Sequence, residues 1–241
     1  MDHDGDAHAM QTTEVAYLVP CATVIEADAG RCRFDLTLFA LPVYHPYMDS
    51  LHIAATLRME AEQLLRERGI DDILRDYGTV FHTGSYHLDL MAWRDIDITM
   101  VLEPDPHSLD QFFAMGTRLV HVEGVFRANF MDTRRRPKKD LPAGFYWGIK
   151  LDTGGALPWK MDIWAADADH LRRNKCLMER VASALTEETR RLILDTKQAL
   201  ITPEGRTPMM SGVPIYEAIL FKGLRSLDDI RAYLREQNIE A

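Results

Sequence analysis

Apolar residues in the first part of the chain come in short β-rich runs. VAYLVPCATVIEA is followed by a turn signal at residues 28–30 and then by CRFDLTLF, which puts Phe34, Leu36 and Leu38 on one face. The pattern predicts a hairpin within residues 14–39. The period then becomes helical: in LHIAATLRMEAEQLLRER the residues Leu57, Ala61, Leu64 and Leu65 share a stripe, Glu62 stands four before Arg66, and Gly69 marks the stop. A short strand over 79–82 leads to a Gly84-Ser85 turn, and a second strand over 95–102 ends at Glu103-Pro104-Asp105-Pro106. Ser108 is placed to cap a helix running to about residue 119. Runs over 144–151 and 157–164, separated by Asp152-Thr153-Gly154-Gly155, read as neighbouring antiparallel strands.

Beyond residue 168 the pattern is helical only, over 186–200, 214–221 and 226–236. Pro214 suits a first helical position, Gly223 a stop, and Ser226 with Asp229 a capping box. The predicted fold class is α+β. The expected organisation is a disordered terminus over 1–13, a core with its N-terminal β-hairpin over 14–168, and a helical C-terminal extension over 169–241.

At 241 residues and 46% hydrophobic the chain can bury a sizeable core. Its 37 acidic against 28 basic residues give a net charge of −9, which repels nucleic acid at long range and argues against it as a partner. Cys21, Cys32 and Cys176 form no CxxC pair and fit reduced thiols. The opening MDHDGDAHAM is acidic where a secretory signal is basic and then apolar, and no later run approaches a membrane span, so the expectation is a cytoplasmic protein without a membrane partner. Asp2, His3, Asp4, Asp6 and His8 have metal-binding side chains but read as a frayed end.

Against this background DIDIT at 95–99 stands out. Side chains alternate along a strand, so Asp95, Asp97 and Thr99 point one way while Ile96, Ile98 and Met100 point the other. Two carboxylates held that close repel unless a cation or solvent intervenes. Magnesium takes oxygen ligands, commonly a couple of carboxylates with waters and substrate phosphates. A third carboxylate, Asp162, sits alone in the apolar strand signal WKMDIW, where an ionised group is costly unless it faces a polar site. Gly84-Ser85 offers backbone N–H groups and a hydroxyl to an anion such as a triphosphate.

Strand, Gly84-Ser85, a short interval, Asp95-Ile96-Asp97-Ile98 and then a lone Asp162 on a later strand together resemble the polymerase-β-like nucleotidyltransferase superfamily, over about residues 50–165. The resemblance implies a mixed β-sheet carrying helices, a nucleoside triphosphate bound with Mg2+, and transfer of its nucleoside monophosphate to an acceptor hydroxyl. It also implies that Gly84 and Ser85 hold phosphates and that Asp95, Asp97 and Asp162 are the metal ligands and catalytic residues. Many small members carry Arg or Gly just after the Gly-Ser and a serine before the first aspartate; this chain has Tyr86-His87-Leu88-Asp89-Leu90 and Arg94 there.

Other features bear on the same function. Arg94, Lys150 and Lys160 lie near the aspartates in sequence or on the neighbouring strands and are candidate nucleotide-binding residues; His82 and Asp89 are further polar candidates. The run Arg134-Arg135-Arg136-Pro137-Lys138-Lys139 reads either as a solvated loop or as a partner for phosphate. Tyr146, Trp147, Trp159 and Trp164 read as core aromatics or as stacking surfaces for a base. His82, His87, His107 and His121 lack the spacing of a zinc site, and GSYHL is not a G-x-S-x-G elbow. The function expected is a Mg2+-dependent nucleotidyltransferase using a nucleoside triphosphate, ATP first among them, on a small-molecule or protein hydroxyl. A noncatalytic nucleotide-sensing module and an RNA end-modifying enzyme are the alternatives. The sequence does not specify the oligomeric state.

Overall fold

The computed structural model describes residues 23–28, 31–35, 49–137, 141–155, 157–202, 207 and 211–239. The expected disordered terminus over 1–13, with its histidines and aspartates, lies outside the described residues, as do Cys21, Lys138 and Lys139. Two compact units are present, Met1–Pro46 and Tyr47–Ala241. In the first, β1 (Thr23–Asp28) and β2 (Arg31–Asp35) pair antiparallel, with Asp28 opposite Arg31, which is the predicted hairpin.

The second unit is an α+β fold built on a mixed five-stranded sheet. Its strands are β3 (Gly78–Thr83), β4 (Asp95–Leu102), β5 (Val125–Asp132), β6 (Phe145–Leu151) and β7 (Trp159–Ala165), in the order β3-β4-β7-β6-β5. β4 and β7 run parallel; every other neighbouring pair is antiparallel. Alternation divides the sheet into two faces. Ile96, Ile98 and Met100 of β4 and Trp159, Met161 and Ile163 of β7 are buried on one face, against α1 (Ser50–Glu67), α2 (Ile70–Arg75) and α4 (Leu109–Val120). The stripe read from sequence, Leu57, Ala61, Leu64 and Leu65, is the buried side of α1. Asp49 caps α1 by accepting from Leu51 N–H, and Ser108 caps α4 as predicted, accepting from Gln111 N–H.

The other face carries Asp95, Asp97 and Thr99, and against it lie α3 (Gly84–Leu88) and α5 (Ala168–Ala184). A second apolar core joins Leu88, Leu90 and Ala54 to α5, α6 (Glu187–Ala199), α7 (Val213–Tyr216), a π-helical turn (Glu217–Phe221) and α8 (Leu227–Glu236). At the start of α8 Ser226 Oγ accepts from Asp229 N–H, while the reciprocal capping box belongs to α6, between Thr186 and Thr189. No helix among the described residues is long and apolar enough to cross a membrane.

Three elements were not read from the sequence. α2 follows Gly69 with only Ile70 and Leu74 buried, and α5 buries only Leu171, Met178 and Val181 along seventeen residues. β5 is an edge strand that leaves Phe126 exposed and carries Arg127 and Asn129, so alternation is weak.

Ile98 is fully buried between two aspartate-facing neighbours, Asp97 and Thr99. Ile98→Ala is expected to lower the urea unfolding free energy by about 2–5 kcal/mol, the range for truncating a packed aliphatic side chain. A change below about 0.5 kcal/mol would contradict the assignment of this face to the core.

Candidate functional site

Parallel pairing of β4 with β7 sets Asp97 directly beside Asp162 and Asp95 beside Lys160. On the other flank of β4, Thr83 at the end of β3 is the partner of Asp97. The chain then turns sharply: Gly84 has a left-handed φ of 62°, and a methyl group placed on it would stand 2.1 Å from Asp97 Oδ2. Only glycine lets the backbone approach the carboxylate this closely. Ser85 follows in α3.

Asp95, Asp97, Asp162, Gly84 and Ser85 line one cavity of about 510 Å3 with Thr83, Thr99 and Trp93. α5 contributes His170, Asn174, Leu177 and Met178 to its wall. Asn174 Nδ2 donates to Thr99 Oγ1 at 2.9 Å, fastening α5 to the site face of β4. Lys197 of α6 and Tyr216 of α7 also line it.

The carboxylates are individually supported. Trp93 Nε1 donates to Asp95 Oδ2 at 3.4 Å, and the Tyr146 hydroxyl donates to Asp162 Oδ1 at 2.7 Å. Lys160 Nζ donates to Asp162 Oδ2 at 2.6 Å and to Asp95 Oδ1 at 3.3 Å, bridging the two strands. Burial raises the Asp95 carboxyl above the usual range, with Asp162 adding to the effect and Lys160 opposing it. Burial, then Asp95 and Asp162, push Asp97 up to about 7. Burial alone would depress the Lys160 ammonium, but Asp95 and Asp162 outweigh it and hold it above the usual lysine range.

Other predicted residues separate. Arg94 follows the strand alternation away from the aspartates and pairs with Glu60 of α1 at 2.8 Å; it does not line the cavity. Lys150 lies on β6 in register with Lys160 and is not a cavity residue. His82 meets Asp71 at 3.0 Å, and Asp89 accepts from Arg190 at 2.9 Å, both away from the cavity wall. The four aromatics divide: Trp147 and Trp159 are in the core, Trp147 donating to Phe112 O, while Tyr146 and Trp164 line the cavity with their rings tilted and their centroids 4.8 Å apart. In the basic loop Arg134 and Arg135 both pair with Asp132.

Lys197 and Tyr216 were not anticipated. Lys197 is 1% exposed and donates to Leu90 O at 2.7 Å and to the Tyr216 hydroxyl at 2.9 Å. Burial depresses its ammonium to about 7, against the pull of Asp97 and Asp95.

Oxygen donors suit magnesium, so the donor chemistry of the three aspartates fits that ion. As the side chains stand, no group of three or more His, Cys, Asp or Glu among the described residues is gathered closely enough to hold one. The positive charge among the carboxylates is the Lys160 ammonium.

Two outcomes follow from this geometry. Gly84→Ala is expected to cost about 1–2 kcal/mol in urea unfolding from the left-handed backbone alone, and to displace the Asp97 carboxylate; an unchanged midpoint would show that the close approach is absent. Asp97 retains a proton in the fold between about pH 4 and about pH 7 that the unfolded chain has released, so it lowers stability as pH rises through that window. In a chelating buffer the melting temperature of Asp97→Asn is therefore expected to fall less than that of the wild type over the window. Parallel profiles would show that Asp97 bears no such burden.

No family model and no curated protein matches the sequence. Among solved structures the chain is similar to Cid1, described for its RNA terminal uridylyl transferase activity, at 13% identity and a TM-score of 0.44 over 73% of this chain and 53% of that one. It is also similar to the Cid1 poly(U) polymerase with Mg and 3'-dATP bound, at 16% identity and a TM-score of 0.43 over 71% and 54%. A third is a cytoplasmic RNA terminal U-transferase, at 13% identity and a TM-score of 0.43 over 71% and 53%. The chain spans about half the length of these structures.

Proposed function

We propose that this protein is a Mg2+-dependent nucleotidyltransferase that transfers a nucleoside monophosphate from a nucleoside triphosphate to an acceptor hydroxyl and releases pyrophosphate. The observation that carries this reading is the register of β4 and β7, which aligns Asp97 with Asp162, two residues from Asp95, beside the Gly84-Ser85 turn in one cavity. Asp95, Asp97 and Asp162 would hold the metal; when bound, magnesium supplies charge to offset what develops on the transferred phosphoryl group and lowers the acceptor's pKa. Gly84 and Ser85 orient the triphosphate by backbone N–H and hydroxyl. Lys197, anchored on Leu90 O and Tyr216, adds a cation to the cavity lining, and an anion there would restore its charge. Tyr146 donates its hydroxyl to Asp162 and so fixes the orientation of this carboxylate. Tyr146 and the half-buried Trp164, in ring contact on the cavity lining, offer an apolar surface to the base or to the acceptor.

For the acceptor, the net charge of −9 favours a small hydroxylated molecule or a protein side chain over a polyanion. ATP is the triphosphate we would test first. A second reading, RNA end modification, is favoured by one feature: Met131, Leu141 and Pro142 line the cavity, so the loop bearing Arg134 and Arg135 borders its mouth. Both arginines are already paired with Asp132, which reduces what they offer to phosphate.

Calorimetry with ATP, GTP, CTP and UTP in Mg2+, followed by pyrophosphate release over a panel of acceptors, tests the proposal. Asp97→Asn is expected to reduce turnover by at least about 10²-fold. Binding without turnover on any acceptor would favour a nucleotide sensor, and affinity for RNA that falls steeply with salt would favour RNA end modification. A signal insensitive both to metal and to Asp97→Asn would sink the enzyme reading.

A further inference from the structure

Three carboxylates brought into one buried cavity require a positive charge close by, and the sequence provides it two residues before Asp162. Lys160 projects from β7 on the same face as Asp162 and is the register partner of Asp95. Its Nζ lies 2.6 Å from Asp162 Oδ2 and 3.3 Å from Asp95 Oδ1, so one ammonium satisfies carboxylates from both strands. These two carboxylates are among the three that would hold a shared ion.

We propose that Lys160 is a built-in counter-ion that competes with the divalent cation, so that metal enters only as the Lys160 ammonium leaves. The inference rests on the assignment of Asp95, Asp97 and Asp162 as metal ligands. It accounts for two facts together. The sheet aligns the aspartates, yet no three acidic side chains among the described residues are drawn in closely enough to hold an ion. The Lys160 side chain is also 41% exposed, while those of Asp95 and Asp162 are 15% and 18% exposed. The lysine is therefore the more solvent-accessible partner of each pair.

The consequence is an ordered preference. In the absence of nucleotide the ammonium holds the carboxylates apart from free metal, and the site admits metal most readily when a triphosphate brings it, because the anion then compensates the added charge. Lys160 is thus a positioning residue that keeps the aspartates arranged while no ion is bound.

Mn2+ serves as the probe, titrated without nucleotide and followed by electron paramagnetic resonance of the free ion. Lys160→Met, which keeps most of the stem and removes the charge, is expected to tighten Mn2+ binding about tenfold, whereas Lys160→Arg stays within about twofold of wild type. In chelator Lys160→Met should melt below wild type, and its gain in melting temperature on adding Mn2+ should exceed that of wild type. If Lys160→Met does not fold, Lys160→Gln, uncharged but still a hydrogen-bond donor, carries the same expectation. Unchanged or weaker Mn2+ affinity in these variants, with binding lost in Asp97→Asn and Asp162→Asn, would overturn the competition while leaving the metal site standing. Wild-type Mn2+ affinity in Asp97→Asn and Asp162→Asn would instead remove the metal site itself, and the competition with it.

Discussion

The site depends on one strand pairing. β4 and β7 run parallel with Asp97 abreast of Asp162, at the roughly 4.8 Å spacing of neighbouring strands. Buried carboxyls that close resist ionising together, and burial with Asp95 and Asp162 raises Asp97 in this way, so the register is electrostatically unfavourable by itself. What holds it is the opposite face. Ile96, Ile98, Met161 and Ile163 are buried there, and a slip of one residue would send them to the cavity and the aspartates into the core. The apolar face thus fixes the register, and the polar face carries charges that do not favour it. Parallel neighbours also cannot be joined by a tight turn. Residues 103–158 supply the connection and build α4, β5 and β6, which complete the core beneath the site.

Much of this arrangement was legible in local pattern. DIDI states by alternation that two carboxylates share a face, and WKMDIW marks Asp162 as an ionisable group that must find a polar setting. Ser108 and Gly223 punctuate helices where their chemistry predicts. The register between strands distant in sequence was not legible, since it follows from core packing across the whole sheet. Alternation also explains Arg94. It directly precedes Asp95, and for that reason points the other way, toward Glu60. Lys160 is the reverse case, two residues from Asp162 and so on the same face, bound to carboxylates where the sequence reading gave it a phosphate.

The elements that escaped sequence reading are those stabilised by few apolar contacts. α5 buries three side chains and otherwise presents polar residues, two of which, His170 and Asn174, line the cavity. A helix that lends polar residues to a site weakens its own amphipathic signal. β5 does so for a different reason, because its outer edge has no neighbouring strand in the sheet. Lys197 was invisible on general grounds: a lysine in a helical run is almost always solvated, and its burial shows only when α7 closes over it.

That burial bears on how the helical segment relates to the sheet. The second core draws Leu88 and Leu90 from the stretch between β3 and β4 into contact with α6 and α7, so the turn after Gly84 is packed from behind by residues more than a hundred positions later. Lys197 bonds to Leu90 O within this packing and lines the same cavity as the carboxylates. A desolvated lysine held to about 7 is half-committed to its charge near neutral pH, and a polyanion in the cavity would complete it. The C-terminal helices therefore contribute lining residues to the site as well as covering apolar surface. A cavity lined by both carboxylates and a buried lysine suits a ligand that combines metal-binding oxygens with excess negative charge, as a triphosphate does.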